Sequence, residues 1–190
     1  MARWEPDARG RLERAALDLY TERGYDQTTV AEIAERAGLT ERTFFRHFAD
    51  KREVLFAGSA TLQAVLVEAV TNAPTTNPPL DTVLTALKAA GALLQQRRPH
   101  SQQRQAVITA NPELQERELI KLATLATATA QALRHRGTDP QTATLTAETG
   151  ITLFKVAFVN WLADTTPHPP SLPHHLQTAA DHLKTLTTPT

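Results

Sequence analysis

The chain contains no cysteine, which excludes disulfide frameworks and thiolate metal sites and fits a reducing compartment. Aromatic residues are scarce, at 5% of 190 residues, so any core must be built mainly from leucine, valine, isoleucine and alanine. Charge of one sign is missing as well. Twenty Lys and Arg balance twenty Asp and Glu, which excludes a disorder-scale charge excess and a uniformly basic coat for nucleic acid. No uninterrupted apolar run reaches the roughly 18 residues of a membrane span. Met1–Pro6 carries no apolar signal core, so the expected location is the cytoplasm. The GxSxG, GxGxxG, P-loop and HExxH patterns are all absent. Without a nucleophile, acid–base pair or phosphate loop, no enzyme and no cofactor are expected.

What is present is helical spacing. No strand-like alternation is sustained, and an all-α fold of about nine helices is expected. Residues 8–23 place Leu12, Ala16, Leu19 and Tyr20 on one face, with Gly24 as the stop. Thr29 and Glu32 form a T-x-x-E capping box ahead of Val30, Ile33, Ala34 and Ala37. Gly38-Leu39-Thr40 is a tight turn in which Gly38 closes one helix and Thr40 caps the next, over about 41–48. Asp50 and Glu53 repeat the capping pattern, and a fourth helix is expected from there to about Val70. A proline-rich loop follows over 71–79. Further helices are expected over 80–98 (ended by Pro99), 101–110, 112–136, 141–164 and 174–186, with a proline-rich connection at 165–173.

Two short helices joined through Gly38 fit a helix-turn-helix. Residues 1–56 hold ten cations and eleven acids, so the positive charge is local. Arg36, Arg42, Arg46, Lys51 and Arg52 face two acids in one short stretch, with His47 beside them. On the second helix Leu39, Phe44 and Phe48 gather on a dry side that Val30, Ile33 and Ala34 can meet. Arg42, Thr43, Arg46 and His47 occupy the opposite arc, with Thr40 at its start. These are groove-type groups: Arg suits guanine, Thr a thymine methyl, and His a base or phosphate. Phe45 sits at the edge of the dry face, where an aromatic can lie along the sugar-phosphate wall. Thr29 and Lys51 are candidate phosphate contacts, because free N–H groups and the helix dipole favour an anion at helix starts. Arg9 and Arg11 are secondary candidates.

Leu12-x-x-Ala15-Ala16-x-x-Leu19, Gly24-Tyr25, Thr28-Thr29-Val30-x-x-Ile33-Ala34-x-x-Ala37-Gly38-Leu39, Thr43-Phe44-Phe45-x-His47-Phe48, Lys51 and Leu55 together resemble the N-terminal domain of the TetR family, over about residues 8–56. The resemblance implies a two-fold dimer on operator DNA and repression relieved by a small molecule. It implies DNA contacts at Thr29, Thr40, Arg42, Thr43, Phe45, His47 and Lys51; the wet-face reading adds Arg46. The family usually carries Tyr where this chain has Phe45, so a phenol–phosphate bond is lost. Glu41-Arg42 also departs from the commoner pair, which implies a distinct operator. The domains expected are 1–56 for DNA and 57–190 for ligand and dimerisation.

The body is less informative. Ile151, Phe154, Phe158 and Trp161 recur at helical spacing, as core plus dimer seam, with Phe154 or Phe158 able to line a pocket. Asn160 can anchor a ligand or a neighbour. The segment from Arg97 through Arg104, Val107-Ile108 and Asn111-Pro112-Glu113-Leu114 resembles sensors near the mycofactocin system regulator. An effector pocket is expected from Leu62, Leu66, Leu87, Gly91, Val107, Leu122, Phe154 and Phe158. His168, His174, His175 and His182 near Asp181 raise a metal-responsive alternative, but their spacing is loose for a helical site. A helical small-molecule carrier without a DNA role is the other alternative.

Overall fold

The computed structural model describes residues 7–187, so the leader reading of Met1–Pro6 lies outside the described residues. They form nine α-helices: α1 (Ala8–Arg23), α2 (Val30–Arg36), α3 (Glu41–His47), α4 (Ser59–Asn72), α5 (Pro79–Gln95), α6 (Arg98–Thr109), α7 (Pro112–His135), α8 (Pro140–Ala163) and α9 (Leu172–Thr187). The chain forms two compact units. Among the described residues, one holds 7–59 together with Gln102–Glu118. The other holds Ala60–Ser101 and 119–187. The expected division at residue 56 thus gains a second segment on its N-terminal side.

Two helix boundaries differ from expectation. The fourth helix does not run from Asp50. Asp50 accepts from the N–H groups of Arg52 (2.8 Å) and Glu53 (3.2 Å) just ahead of a single 3-10 turn, Glu53–Phe56, and α4 starts afresh at Ser59. Two tertiary bonds accompany the break. Arg104 donates to the Leu55 carbonyl and Arg9 to the Ala57 carbonyl, each at 2.6 Å. The segment Glu53–Asn72 passes for a membrane span by length and mean hydropathy, 1.6 over its best window. As folded it is interrupted, and the 14-residue α4 reaches only about 21 Å, short of a bilayer core of about 30 Å. Pro99 does not end α5, which stops at Gln95; it sits in the first turn of α6, where a missing N–H costs nothing.

In the first unit Leu12, Leu19, Ile33, Phe44, Phe48 and Phe56 form a core that Val107, Ile108 and Leu114 complete. Thr29 makes the full capping box with Glu32, as its spacing predicts. The end of α2 is a Schellman turn: Gly38 lies at φ +64, Gly38 N–H bonds the Glu35 carbonyl and Leu39 N–H the Ala34 carbonyl. A side chain with a Cβ would be strained there.

In the second unit α5, α8 and α9 pack together around Val83, Leu87, Phe154, Trp161, Leu172 and Leu176. Their approach is set by missing side chains. A Cβ on Gly150 of α8 would stand 2.5 Å from Val83 Cγ1 of α5, and one on Gly91 of α5 would stand 3.3 Å from Leu172 Cγ of α9. Arg98 closes the end of α8 by donating to the main-chain carbonyls of Trp161 (2.8 Å) and Asp164.

Candidate nucleic-acid interface

The helix-turn-helix is held from both sides. Phe44 is fully buried and meets Phe48 with ring centroids 5.6 Å apart. Thr40 caps α3, its hydroxyl accepting from Thr43 N–H at 3.2 Å and lying 3.0 Å from the Thr43 hydroxyl. These contacts turn the remaining arc of α3 to solvent.

Most cations of the positive patch are tied within the protein. Arg36 forms a two-pronged bond to Glu22 (2.9 and 3.0 Å), and Arg52 pairs with Asp50 at 2.7 Å. Each carboxyl is held below its usual range, first by the guanidinium hydrogen bond. Arg23 pairs with Glu32, and Arg9 with Glu13 and the Ala57 carbonyl. Arg11 is half-buried with its Nε enclosed. Arg42 and Arg46, by contrast, are exposed and make no hydrogen bond or ion pair with any described residue. Phe45, beside them, is 55% exposed, with its neighbour Phe44 edge-on at 5.5 Å. Two guanidinium groups, an exposed ring and a threonine pair therefore share one helix face without internal partners for the guanidinium donors.

Three candidate residues sit differently from the expectation. Thr29 is exposed, but its N–H and hydroxyl both bond Glu32 Oε2 at 2.9 Å, so a carboxylate already occupies the place proposed for a phosphate. That contact with Thr29 is what lowers the Glu32 carboxyl most. Lys51 Nζ is not free either. It donates to the carbonyls of Tyr25 (2.9 Å), Thr28 (3.0 Å) and Asp26 (3.4 Å) and stands 4.3 Å from the centroid of the Tyr25 ring. His47 is half-buried, and its Nε2 is shut from solvent without a partner, so it is not an open donor in this rotamer. The shared cause is local: spacing identifies which groups lie near a helix start, not which neighbours reach them first.

The reading from sequence missed the contribution of residues 102–118 to this unit. Arg104 bonds Glu118 at 3.0 Å and lies 5.0 Å from the Phe56 ring centroid, and Arg117 bonds Glu53 at 2.6 Å. Burial pushes Arg104 down while Glu118 opposes that shift. No local pattern marks the contacts of Arg104 with residues 55–56 and of Arg117 with Glu53, because they meet across more than 45 positions of chain.

The eight expected pocket residues do not gather as a set. Leu62, Leu66, Leu87, Leu122, Phe154 and Phe158 belong to the core of the second unit. Val107 lies instead in the core of the first, and Gly91 is a close-packing position against Leu172. Phe154, Phe158 and Trp161 form a ladder of rings 5.6 Å apart, and the fully buried Trp161 Nε1 has no acceptor. Thr82 Oγ1, also buried in this unit, has no partner. Among the described residues no three His, Asp or Glu side chains come close enough to hold a metal ion. His175 instead lies 3.6 Å from Asp164, and burial is the first cause of its lowered pKa.

Residues 13–57 match the family described as bacterial regulatory proteins, tetR family. The regulator TcmR of Streptomyces glaucescens is 38% identical over 81 residues, covering 43% of this chain and 36% of TcmR. The putative mycofactocin biosynthesis transcriptional regulator MftR of Mycobacterium tuberculosis is 28% identical over 104 residues, 55% of this chain and 52% of MftR. The matches thus span about a third to a half of these curated relatives' length. Among solved structures, Thermus thermophilus FadR in complex with lauroyl-CoA aligns over 96% of both chains with a TM-score of 0.56 at 23% identity, a likeness of fold.

Proposed function

We propose that this chain, whose N-terminal region belongs to the TetR family of bacterial regulatory proteins, is a cytoplasmic transcription regulator. Two copies read a palindromic operator through α3 and leave it when a small molecule enters the second unit. The observation that carries the reading is the pair Arg42 and Arg46. They are exposed on α3 with no hydrogen bond or ion pair to any described residue, while Arg23, Arg36 and Arg52 are paired with carboxylates of the protein. Arg42 is assigned to base reading, with Thr40 and Thr43 beside it, and Arg46 and Phe45 to the groove wall. Thr29, His47 and Lys51 are not assigned direct contacts.

Two further observations support the rest. On α8, Leu145, Val156 and Val159 are exposed and fall within an arc of about 60° at roughly 100° per residue. Ala147, Gly150, Phe154 and Trp161 fill the opposite side. An exposed apolar stripe on a core helix suits a two-fold seam with a second copy. The aromatic ladder with its acceptor-free indole N–H suits an apolar effector bearing one hydrogen-bond acceptor, in keeping with the acyl ligand held by the Thermus protein. Such an effector releases DNA only by favouring the conformation that does not bind it. No catalytic role is proposed.

The test is selection of bound duplexes from a random pool. The expected result is a palindrome. Arg42→Ala should weaken binding to the selected duplex by about 1–3 kcal/mol, spare random duplex, and leave the melting temperature unchanged. A pool with no enrichment would favour the carrier reading.

A further inference from the structure

On the proposed reading that a small molecule enters the second unit, we infer that this molecule is an uncharged, flat aromatic compound bearing a hydrogen-bond acceptor, which stacks on the ring ladder of α8 and takes the indole N–H of Trp161. All three aromatic residues of the unit, Phe154, Phe158 and Trp161, fall within one stretch of α8, 154–161. The rest of its core is leucine, isoleucine, valine and alanine. Phe154 and Phe158 are stacked with 25° between their planes, and the Trp161 ring continues the row at 48° to Phe158. Phe154 and Trp161 are buried, whereas Phe158 is half-buried. Phe158 lies about 80° around α8 from Gly150, the point of close contact with α5, at roughly 100° per residue. Its half-buried ring leaves the row open to a further ring, and aromatic rings prefer such offset-stacked partners. α5, α8 and α9 lie close together, whereas α4 and α7 stand farther off and reach the same core through side chains such as Leu66 and Leu125.

The polar groups of the unit set the charge. Among its described residues the buried polar side chains are Thr82, Ser101, Thr129 and Thr146, and none of them is ionisable. Half-buried Lys88, Arg98 and Arg136 are spent within the protein. Lys88 donates to Gln177, Arg98 to the carbonyls of Trp161 and Asp164, and Arg136 to those of Ala73 and Pro74. Arg98 stands 5.8 Å from the Trp161 ring centroid, but its donors already close the end of α8. An ionised group drawn in beside the rings would lose its hydration without gaining a free counter-charge. The indole N–H is a donor with no acceptor capacity of its own. It is fully buried and has no partner in the protein, and a buried donor left unmade is costly. A ligand carbonyl would satisfy it. An acyl chain would suit the aliphatic core equally well, but it would leave the ring row without a stacking partner.

The test is calorimetric titration of the full, DNA-free chain with four probes. 9-Fluorenone is flat, uncharged and bears one carbonyl. Fluorene lacks that oxygen, 9-fluorenone-2-carboxylate adds an anion, and 2-decanone is a ringless ketone of similar hydrophobicity. We expect 9-fluorenone to bind roughly fivefold more tightly than fluorene. It should bind at least about tenfold more tightly than its carboxylate, and about threefold more tightly than 2-decanone. Trp161→Phe keeps a ring in the row and should erase the advantage of 9-fluorenone over fluorene. No binding of 9-fluorenone overturns the inference, as does a carboxylate, a 2-decanone or a fluorene that binds as tightly. An advantage over fluorene that persists in Trp161→Phe overturns it too. If Trp161→Phe does not melt cooperatively, the comparison of 9-fluorenone with fluorene on the unaltered chain decides the role of the indole alone. Failure of these titrations beside a selected palindrome would leave the DNA reading intact. The expected titrations without any selected duplex would sink the regulator reading and favour the carrier.

Discussion

The two units are held together by different means. In the first, charged groups at matched distances lock the geometry: Arg36 to Glu22, Arg23 to Glu32, Arg52 to Asp50, Arg104 to Glu118 and Arg117 to Glu53. Several of these pairs are exposed, where each adds little stability. Their consequence is directional, since they use up cations and leave Arg42 and Arg46 outward. In the second unit the packing is apolar and small-residue. α5, α8 and α9 meet at Gly91 and Gly150, and threonines on α7 and α8 return their hydroxyls to their own helix, as Thr129 does to Leu125 and Thr144 to Pro140. On the function proposed here, the first unit presents set groups to a duplex and so needs defined partners. The second unit keeps close helices and a buried donor left over, Trp161 Nε1.

The sharpest test of that division is Phe44→Ala. It removes the buried ring of the first core and should cost about 3–5 kcal/mol. Hydrogen exchange should show protection lost up to Ser59 and through Gln102–Glu118, with α8 still protected. Loss in both units together would end the two-core description. Next in size is Gly150→Ala, which drives a methyl into Val83 and should cost about 1–3 kcal/mol despite the better helix propensity of alanine. Adding Val83→Ala should restore part of the melting temperature, and failure to do so would remove close approach as the cause. The smallest effect, absent at neutral pH, is alkaline. Both tyrosines of the chain, Tyr20 and Tyr25, are buried in the first unit, and burial is the first cause raising each pKa. Groups whose folded pKa is raised stabilise the protein below the unfolded value, near 10, and that contribution is lost as pH rises above it. Exchange protection should therefore fall first in the first unit above about pH 10. Earlier loss in α8 would contradict the contrast.

The N-terminal helices, the capping box at Thr29, the glycine turn at Gly38 and the outward arc of α3 were all readable from local spacing. They arise from contacts three or four positions apart, and the residues on the page suffice to place them. The helix break after Phe56 was not readable, although Gly58 lies beside it. The two carbonyls bonded there by Arg9 and Arg104 find their donors 48 and 49 positions away, beyond any local pattern. Val107 lies in the core of the first unit, whereas its helical spacing shows a buried face but not which core receives it.

By itself the amino-acid order determined an all-helical chain with a helix-turn-helix near its start and a solvent-facing row of arginine and threonine, because propensity, capping and periodicity act over a few residues. Folding in three dimensions decided which cations stay free, that Lys51 faces inward, and that residues 102–118 complete the first core. Those outcomes depend on which distant donor reaches an acceptor first, and no short window of sequence contains both partners.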